Sequence, residues 1–444
     1  MKNEFDSDVL MLDLHLALCQ DMRLSLNIPE LSGRVFDAAK ERDIVKIRNE
    51  KFTIHDGLSP YTYKWCTQIN SLTKRYTFQD DVITKKQRES ITNAKFIKLQ
   101  ETLASSYTRP RTLRLHTTLQ RARQICRQAL SGLHPFGEAA RGRFGTKATL
   151  GCSAVDAYID NKLINQQITG SALQVSRFRK DLPNDPLLRE IFDLNEKGCK
   201  VVDTLAQVNV PKKFDIDRGI NPNTLLGSLF SDRMGKEIEK ALIVLGLSIS
   251  RQQVRHGILA KQASDPNPRN KYYLKSATAD LSDASHGFLS SILNALLPRE
   301  WYNAIMYGVI RQVEVPDVGV MRLESIMTMG IGFTFPLQTL LFYCLLKALS
   351  DLTGIKGLIS VYGDDLIYPT GLHKFVVAIF SDLGFKLNLD KTFVNSPFRE
   401  SCGSDYFKGV AVRPYAPEGN KGDTRGRSQY AAFCYKLLNG LLSK

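Results

Sequence analysis

The stretch Leu358-Ile359-Ser360-Val361-Tyr362-Gly363-Asp364-Asp365-Leu366-Ile367-Tyr368 decides how the chain is read. Apolar and β-branched residues flank a Gly-Asp-Asp core on both sides, which predicts a tight β-hairpin with two carboxylates at its tip. Adjacent carboxylates repel, so a tip that presents both to one point needs a cation there. For oxygen ligands beside phosphate the hard-cation choice is Mg²⁺. Gly363 gives the turn its backbone freedom and leaves room for a substrate to approach. An ordinary polar turn has the same composition, because Gly and Asp favour turns without any catalysis. A second acidic stretch upstream separates the two readings.

That stretch runs from Tyr272 to Ser285. A strand is expected to end at Asp280, and a helix to begin near Ser282 or Asp283, where a Ser or Asp side chain caps the first turn. Capping accounts for Asp283 and leaves Asp280 unexplained. Two strand-borne acidic sites separated by a long connection are what two-metal phosphoryl chemistry requires. Two Mg²⁺ ions about 3.5–4 Å apart are bridged by the carboxylates, one activating the attacking hydroxyl and the other holding the leaving group. Asp280, Asp364 and Asp365 make such a set, with Mn²⁺ as a substitute ion.

Between the two acidic elements lies a glycine-containing loop, residues 327–336, followed by a helix to about Leu352 that stops before Gly354. Pro336 suits its first turn. The helix is apolar nearly all round and is expected to be buried. Beyond the hairpin, residues 372–383 read as an amphipathic helix, 386–394 as extended chain and 407–412 as a strand. The order from Tyr273 fits an antiparallel sheet backed by helices, an α+β arrangement with acids on its central strands.

The 444 residues are 43% hydrophobic and 24% charged, and 60 Lys and Arg against 45 Asp and Glu give a net charge of +15. A pI near 9.3 favours polyanionic partners, nucleic acid above all. The most apolar stretch, residues 339–346, is too short to span a bilayer, and the amino terminus has no signal-peptide pattern, so a cytoplasmic location is expected. Eight scattered cysteines, with no C-x-x-C pair, suggest neither a zinc site nor a disulfide framework.

Residues 1–105 read as mostly helical, with a break at 57–60. Arg109, Arg111, Arg114, Arg121, Arg123 and Arg127 alternate with Leu113, Leu115, Leu119 and Ile125, which predicts a helix with a guanidinium-rich outer face suited to phosphate. Residues 142–149 form a Gly- and basic-rich loop without P-loop spacing, ahead of an expected helix at 153–163. A loop at 181–186 precedes a helix. Residues 208–220 read as two extended segments around a basic turn, where Lys212, Lys213 and Arg218 could face one anion; a plain surface hairpin is the competing reading. Helices are expected at 226–246 and 248–260.

With these residues in place the chain resembles the RNA-directed RNA polymerases of positive-strand RNA viruses, and most closely the replicase catalytic (beta) subunits of the levivirus group of RNA bacteriophages. The resemblance covers about 144–412. It rests on residues 280–285 as motif A, 328–335 as motif B, 362–365 as motif C, Lys391-Thr392-Phe393 as motif D, and Pro397-Phe398-Arg399-Glu400-Ser401-Cys402-Gly403, a stretch characteristic of these phages. Residues 211–219 look like the basic fingers motif.

The resemblance implies a right-hand fold of fingers, palm and short or truncated thumb, with an RRM-like antiparallel palm sheet. Its parts are an N-terminal, fingers-associated region at 1–140, fingers at 141–271, palm at 272–415 and the start of the thumb at 416–444. It implies RNA synthesis on an RNA template from ribonucleoside triphosphates in a bacterial cytoplasm. Asp280 and Asp364 are then the principal metal ligands and Asp365 a supporting one. Arg218, with Lys212 or Lys213, meets the triphosphate, and Lys391 protonates the departing pyrophosphate. Asp283, Thr328 and Gly330 fall at the nucleotide. Host translation elongation factors and an RNA-binding ribosomal protein are the implied partners.

Three departures stand out. The family commonly has Asp where this chain has His286, and Asn where it has Ile331, both near the ribose of the incoming nucleotide. Weaker rejection of deoxynucleotides is therefore expected, with Asp283 or Thr328 as substitutes. Family members also continue past Lys444. A reverse transcriptase and a catalytically impaired RNA-binding relic or fragment are the competing functions.

Overall fold

The computed structural model describes residues 6–26, 33–78, 84–106, 112–137, 148–153, 155–158, 161–184, 186–212, 215–420 and 427–443. Its core is built on the apolar helix Thr334–Thr353. Leu340, Leu341, Phe342, Cys344, Leu345, Leu346 and Ala348 are all wholly buried, so this helix has core on nearly every side. Gly354 ends it at φ 73°, in the left-handed conformation that favours Gly after a helix. The helices Leu113–Ala129 and Leu225–Val244 pack along it. Asp351 on its last turn receives Arg121 at 2.7 Å and Lys347 at 2.9 Å. Truncating one of its buried leucines to Ala would cost about 2–5 kcal/mol.

A three-stranded antiparallel sheet lies against this helix, in the order Ser360–Tyr362, Asp365–Pro369, Ser276–Ala279. The registers Val361↔Leu366, Leu366↔Ala279 and Tyr368↔Ala277 put these five residues on the face that joins the main core. Ser360 and Thr278 belong to the other face. There the helix Ile249–Ser264 runs beneath the sheet, and Gln252 donates from Nε2 to Ser360 Oγ. His256 Nδ1 lies 2.8 Å from Ser401 Oγ in the hairpin Phe398–Ser401/Ser404–Phe407. Both faces are therefore covered, which is why the strands read as nearly continuous apolar runs.

Arg399 locks that hairpin to the sheet. It is fully buried, and its guanidinium donates to the carbonyls of Ser276 (3.0 Å), Phe398 (2.7 Å), Val394 (2.8 Å) and Ser396.

The amino-terminal helices Ser7–Leu26, Gly33–Glu41, Ile44–Asn49 and Pro60–Ser71 form a satellite layer. Ser59 caps the fourth helix and Pro60 opens it, so the expected break is a helix start. This layer closes on the far end of the chain. Tyr76–Thr77 pairs in parallel with Gly419–Asn420, Phe433 and Leu437 of the helix Arg427–Leu442 pack on Tyr76 and Met11, and the Gln68 amide exchanges two 2.9 Å hydrogen bonds with the Tyr415 backbone.

Several expectations need correction. The helix expected at 153–163 is absent among the described residues; the chain makes turns and one π-helical turn, Asn161–Asn165. The strand before Asp280 is only Ser276–Ala279. Extended chain at 386–394 reduces to Lys386–Leu387 and a 3₁₀ turn, Leu389–Lys391. The strand at 407–412 is two strands, broken at Lys408-Gly409, where both residues take positive φ. The arginine-rich helix forms with Leu115, Leu119 and Ile125 inside, but Leu113 is exposed and Arg121 is tied to Asp351. Arg109, Arg111 and all but the last two residues of the loop at 142–149 lie outside the described residues.

Candidate active site

The turn of the acidic hairpin is two residues long, because Tyr362 pairs with Asp365. Gly363 takes φ 63°, as the II′ class of hairpin turn asks of its first central residue. Its N–H donates to Thr339 Oγ1 at 2.9 Å, and a Cβ at this position would strike the Phe335 ring. Phe335 also meets Tyr362 edge-on at 4.7 Å. The buried helix thus holds the tip from behind and leaves Asp364 facing the cavity.

Asp280 arrives by register. One residue beyond the Ala279↔Leu366 pair, it stands opposite Asp365. Its Oδ2 accepts from Asn388 Nδ2 at 3.1 Å and meets Lys391 Nζ at 3.4 Å, while its carbonyl accepts the Asn388 N–H at 2.9 Å. Lys391 reaches a further carboxylate, Glu400 Oε2, at 4.0 Å. Arg413 lies 3.8 Å from Glu400 Oε1 and 2.9 Å from Asp405.

Four carboxylates in so small a volume are electrostatically loaded. Burial, then repulsion from Asp280, pushes the Asp364 carboxyl above its ordinary value. Burial raises Asp365 to about 7, with Glu400, Asp364 and Asp280 adding to the rise and the Cys402 backbone N–H opposing it. Glu400 is raised by burial too, against the pull of Lys391. Burial works to lower Lys391, but Glu400, Asp280 and Asp365 overcome it and hold the ammonium protonated. The site is short of positive charge, and its donors are hard oxygens. Among the described residues no group of three or more His, Cys, Asp or Glu side chains is already gathered to hold a metal ion.

Asp280, Asp364 and Glu400 line a cavity of about 1990 Å³ whose walls carry Lys95, Lys212, Arg218, Lys236, Lys391 and Arg413; Asp365 is not part of this lining and turns toward the Cys402 backbone. Lys212 follows the strand Val208–Pro211 and Arg218 lies on Asp217–Ile220, the two strands forming the expected antiparallel hairpin. Lys213 lies outside the described residues. Gly330 lines the cavity at φ 118°, pressed so closely on the Asn221 carbonyl that a side chain there would collide with backbone.

Three candidates are placed differently from expectation. Asp283 makes no helix cap among the described residues: it sits at φ 51° before a 3₁₀ turn, Ala284–Gly287, and pairs with Lys95 Nζ at 3.1 Å on the cavity wall. Thr328 is 1% exposed and faces an internal pocket behind the loop, where its Oγ1 has no hydrogen-bond partner among the described residues. His286 is 4% exposed, against the Phe96 ring, while the cavity lining takes in Asp283, Ala284 and Ser285. The side chain at this position, where the resemblance put the family's Asp near the ribose, thus does not border the cavity. Ile331 does line the cavity.

Sequence reasoning did not single out Asn388, Glu400, Arg413 or Lys95. The one available signal for Glu400 was its place in 397–403, where period-two alternation puts it on the face opposite Arg399 and Ser401.

Comparison with known proteins points to one family. The profile of the family described as RNA replicase, beta-chain, matches residues 12–418. The RNA-directed RNA polymerase subunit beta of Qbeta virus (strain MX1) is 34% identical over 209 residues, 47% of this chain and 34% of that protein. The RNA-directed RNA polymerase beta chain of Escherichia phage MS2 is 31% identical over 302 residues, 66% of this chain and 52% of that protein. This chain thus spans about half, or less, of the length of these relatives. The solved RNA-dependent RNA polymerase of a human picorbirnavirus aligns with 50% of this chain and 47% of its own at 17% identity and TM-score 0.34, which leaves the fold to be argued from this chain's own geometry. With its profile matched across nearly the whole sequence, the chain belongs to the RNA replicase beta-chain family.

Proposed function

We propose that the chain is an RNA-directed RNA polymerase that copies a positive-strand RNA phage genome. The carrying observation is that neighbouring strands of one sheet bring Asp280 and Asp364 onto the floor of a single basic-walled cavity. The sheet and its helices serve as palm (272–415), the region 141–271 as fingers, 1–140 as the fingers-associated part and 416–444 as the start of a thumb.

Asp280 and Asp364, with Asp365 in support, would hold two Mg²⁺ ions, or Mn²⁺ in their place, which would supply activation of the attacking hydroxyl and charge neutralisation at the leaving group. Arg218 and Lys212, with Lys213, draw in and orient the triphosphate. Asp283, steadied by Lys95, and Gly330 border the sugar and base. The primer 3′-hydroxyl gives up its proton to solvent as its oxygen bonds the α-phosphorus and the α–β P–O bond breaks, and Lys391, held protonated, gives its proton to the departing pyrophosphate. Template and nascent RNA occupy the cavity. Host translation elongation factors and an RNA-binding ribosomal protein are the proposed partners, in a bacterial cytoplasm. No helix among the described residues is long and apolar enough to cross a membrane.

The test is Mg²⁺-dependent extension of an RNA primer on an RNA template, beside the Asp364→Asn variant. Ribonucleotide incorporation that falls at least 100-fold in the variant is expected. Well-folded protein that incorporates nothing, even with bacterial extract added, overturns the proposal.

A further inference from the structure

Lys391 stands where a metal ion is expected. Its ammonium is 3.4 Å from Asp280 Oδ2, an oxygen already accepting from Asn388, and so stands in for a cation there. An ammonium and a divalent ion cannot share one carboxylate oxygen at that range without strong like-charge repulsion. When the ion arrives, Lys391 has to go somewhere.

Glu400 offers the place. Its side chain is 10% exposed, and Oε2 has no hydrogen-bond partner among the described residues, although Lys391 Nζ is only 4.0 Å away. Closing to charge-assisted hydrogen-bond length takes a shift of about 1 Å. The other oxygen, Oε1, faces Arg413 at 3.8 Å, which holds the carboxylate in orientation. The strand Phe398–Ser401 that carries Glu400 is fixed by the buried Arg399, so its position is set by the fold. The backbone of Lys391 is fixed as well, by the 3₁₀ turn Leu389–Lys391 and by its N–H to Asn388 O. A lysine on a fixed stem between two carboxylates, one hydrogen-bonded elsewhere and one with an oxygen left open, has two seats.

We infer that Glu400 is a positioning residue that receives Lys391 when a divalent cation takes Asp280, so that metal binding and placement of this lysine over the leaving group are one exchange. The inference rests on the metal-binding reading above. Without Glu400, Lys391 stays on Asp280 and competes with the ion.

Plain electrostatics also predicts that removing an anion weakens cation binding, so a single variant does not discriminate. The cycle of Glu400→Gln, Lys391→Met and the double variant does. Binding of Mn²⁺ alone to the full chain is read by electron paramagnetic resonance, with thermal melting to check folding. Glu400→Gln should weaken Mn²⁺ binding roughly three- to tenfold in the native background and by less than about twofold when Lys391 is already Met. Glu400→Asp, which keeps the charge on a shorter arm, should recover part of the loss. A Glu400→Gln effect that persists undiminished in the Lys391→Met background overturns the exchange and leaves the metal site standing. If Asp364→Asn binds Mn²⁺ as the native chain does, the metal-binding reading fails, and this inference with it.

Discussion

Asp365 is a carboxylate that the fold holds at a cost when no cation is bound, and Asp365→Asn makes this measurable. Burial, helped by Glu400, Asp364 and Asp280, raises its carboxyl from the ordinary 3.8 to about 7. The folded chain therefore holds this proton more tightly than the unfolded chain. The acid form is compatible with the fold, so the group costs nothing below the unfolded value, and the penalty grows as pH rises through the folded value. At about 1.36 kcal/mol per pH unit the gap sets a ceiling of about 4 kcal/mol at pH 8, and partial solvent access makes about 2–4 kcal/mol the working range. For 444 residues unfolding as one unit, an entropy of about 2.1 cal/mol/K per residue converts this to a rise of about 2–4 °C in Tm for the Asn variant. The assay is a melt in EDTA from pH 4 to pH 8. The difference should be largest at pH 8 and shrink toward zero near pH 4. Added Mg²⁺ should remove it, because the native carboxylate then gains its cation. An Asn variant no more stable than the native chain at pH 8 in EDTA, or a difference that ignores pH, refutes the account of a desolvated, mutually repelled cluster.

Other substitutions read other parts of the structure. Gly363→Ala puts a Cβ against Phe335 at a positive φ, so melting should show a loss of about 1–3 kcal/mol and primer extension a drop of at least tenfold. Arg399→Met leaves four carbonyls without their shared donor and should cost about 3–5 kcal/mol, with protease cleavage appearing between 394 and 407. His286 is kept neutral by burial, so His286→Asp should destabilise by about 3 kcal/mol or more, while the ratio of ribonucleotide to deoxynucleotide incorporation stays unchanged because the side chain does not line the cavity. A change in that ratio without a change in stability would show that position 286 acts on sugar selection.

What could be read in advance follows from how local the signal is. Apolar residues on both sides of Gly363-Asp364 specify the hairpin almost alone, and Pro336 and Gly354 bracket the buried helix within two residues of its ends. Asp280 was recognisable as an acid left unexplained at a strand end. Asp283 was misjudged because a Ser-Asp pair before Ala is a common cap, and nothing in the sequence announces a left-handed backbone. Its partner Lys95 is 188 residues away, a distance no periodicity spans. Arg399 and Glu400 look like an exposed pair of opposite charge; only the packing reveals that one is buried among carbonyls and the other turned toward the acids. His286 and Thr328 were assigned by position in a motif, and a residue can keep its place in a motif while its side chain faces the core.

The pairing of Tyr76–Thr77 with Gly419–Asn420 bears on how the protein is made. Gln68 finds its partner Tyr415 347 residues later. At about 5–20 residues per second, a ribosome takes roughly 20–70 s to deliver that second half. Through that interval the layer carrying Tyr76 and Met11 has no Phe433 or Leu437 to cover it. The amino-terminal helices are therefore synthesised well ahead of the residues that close them, and a folding helper in the cell would find its apolar target there.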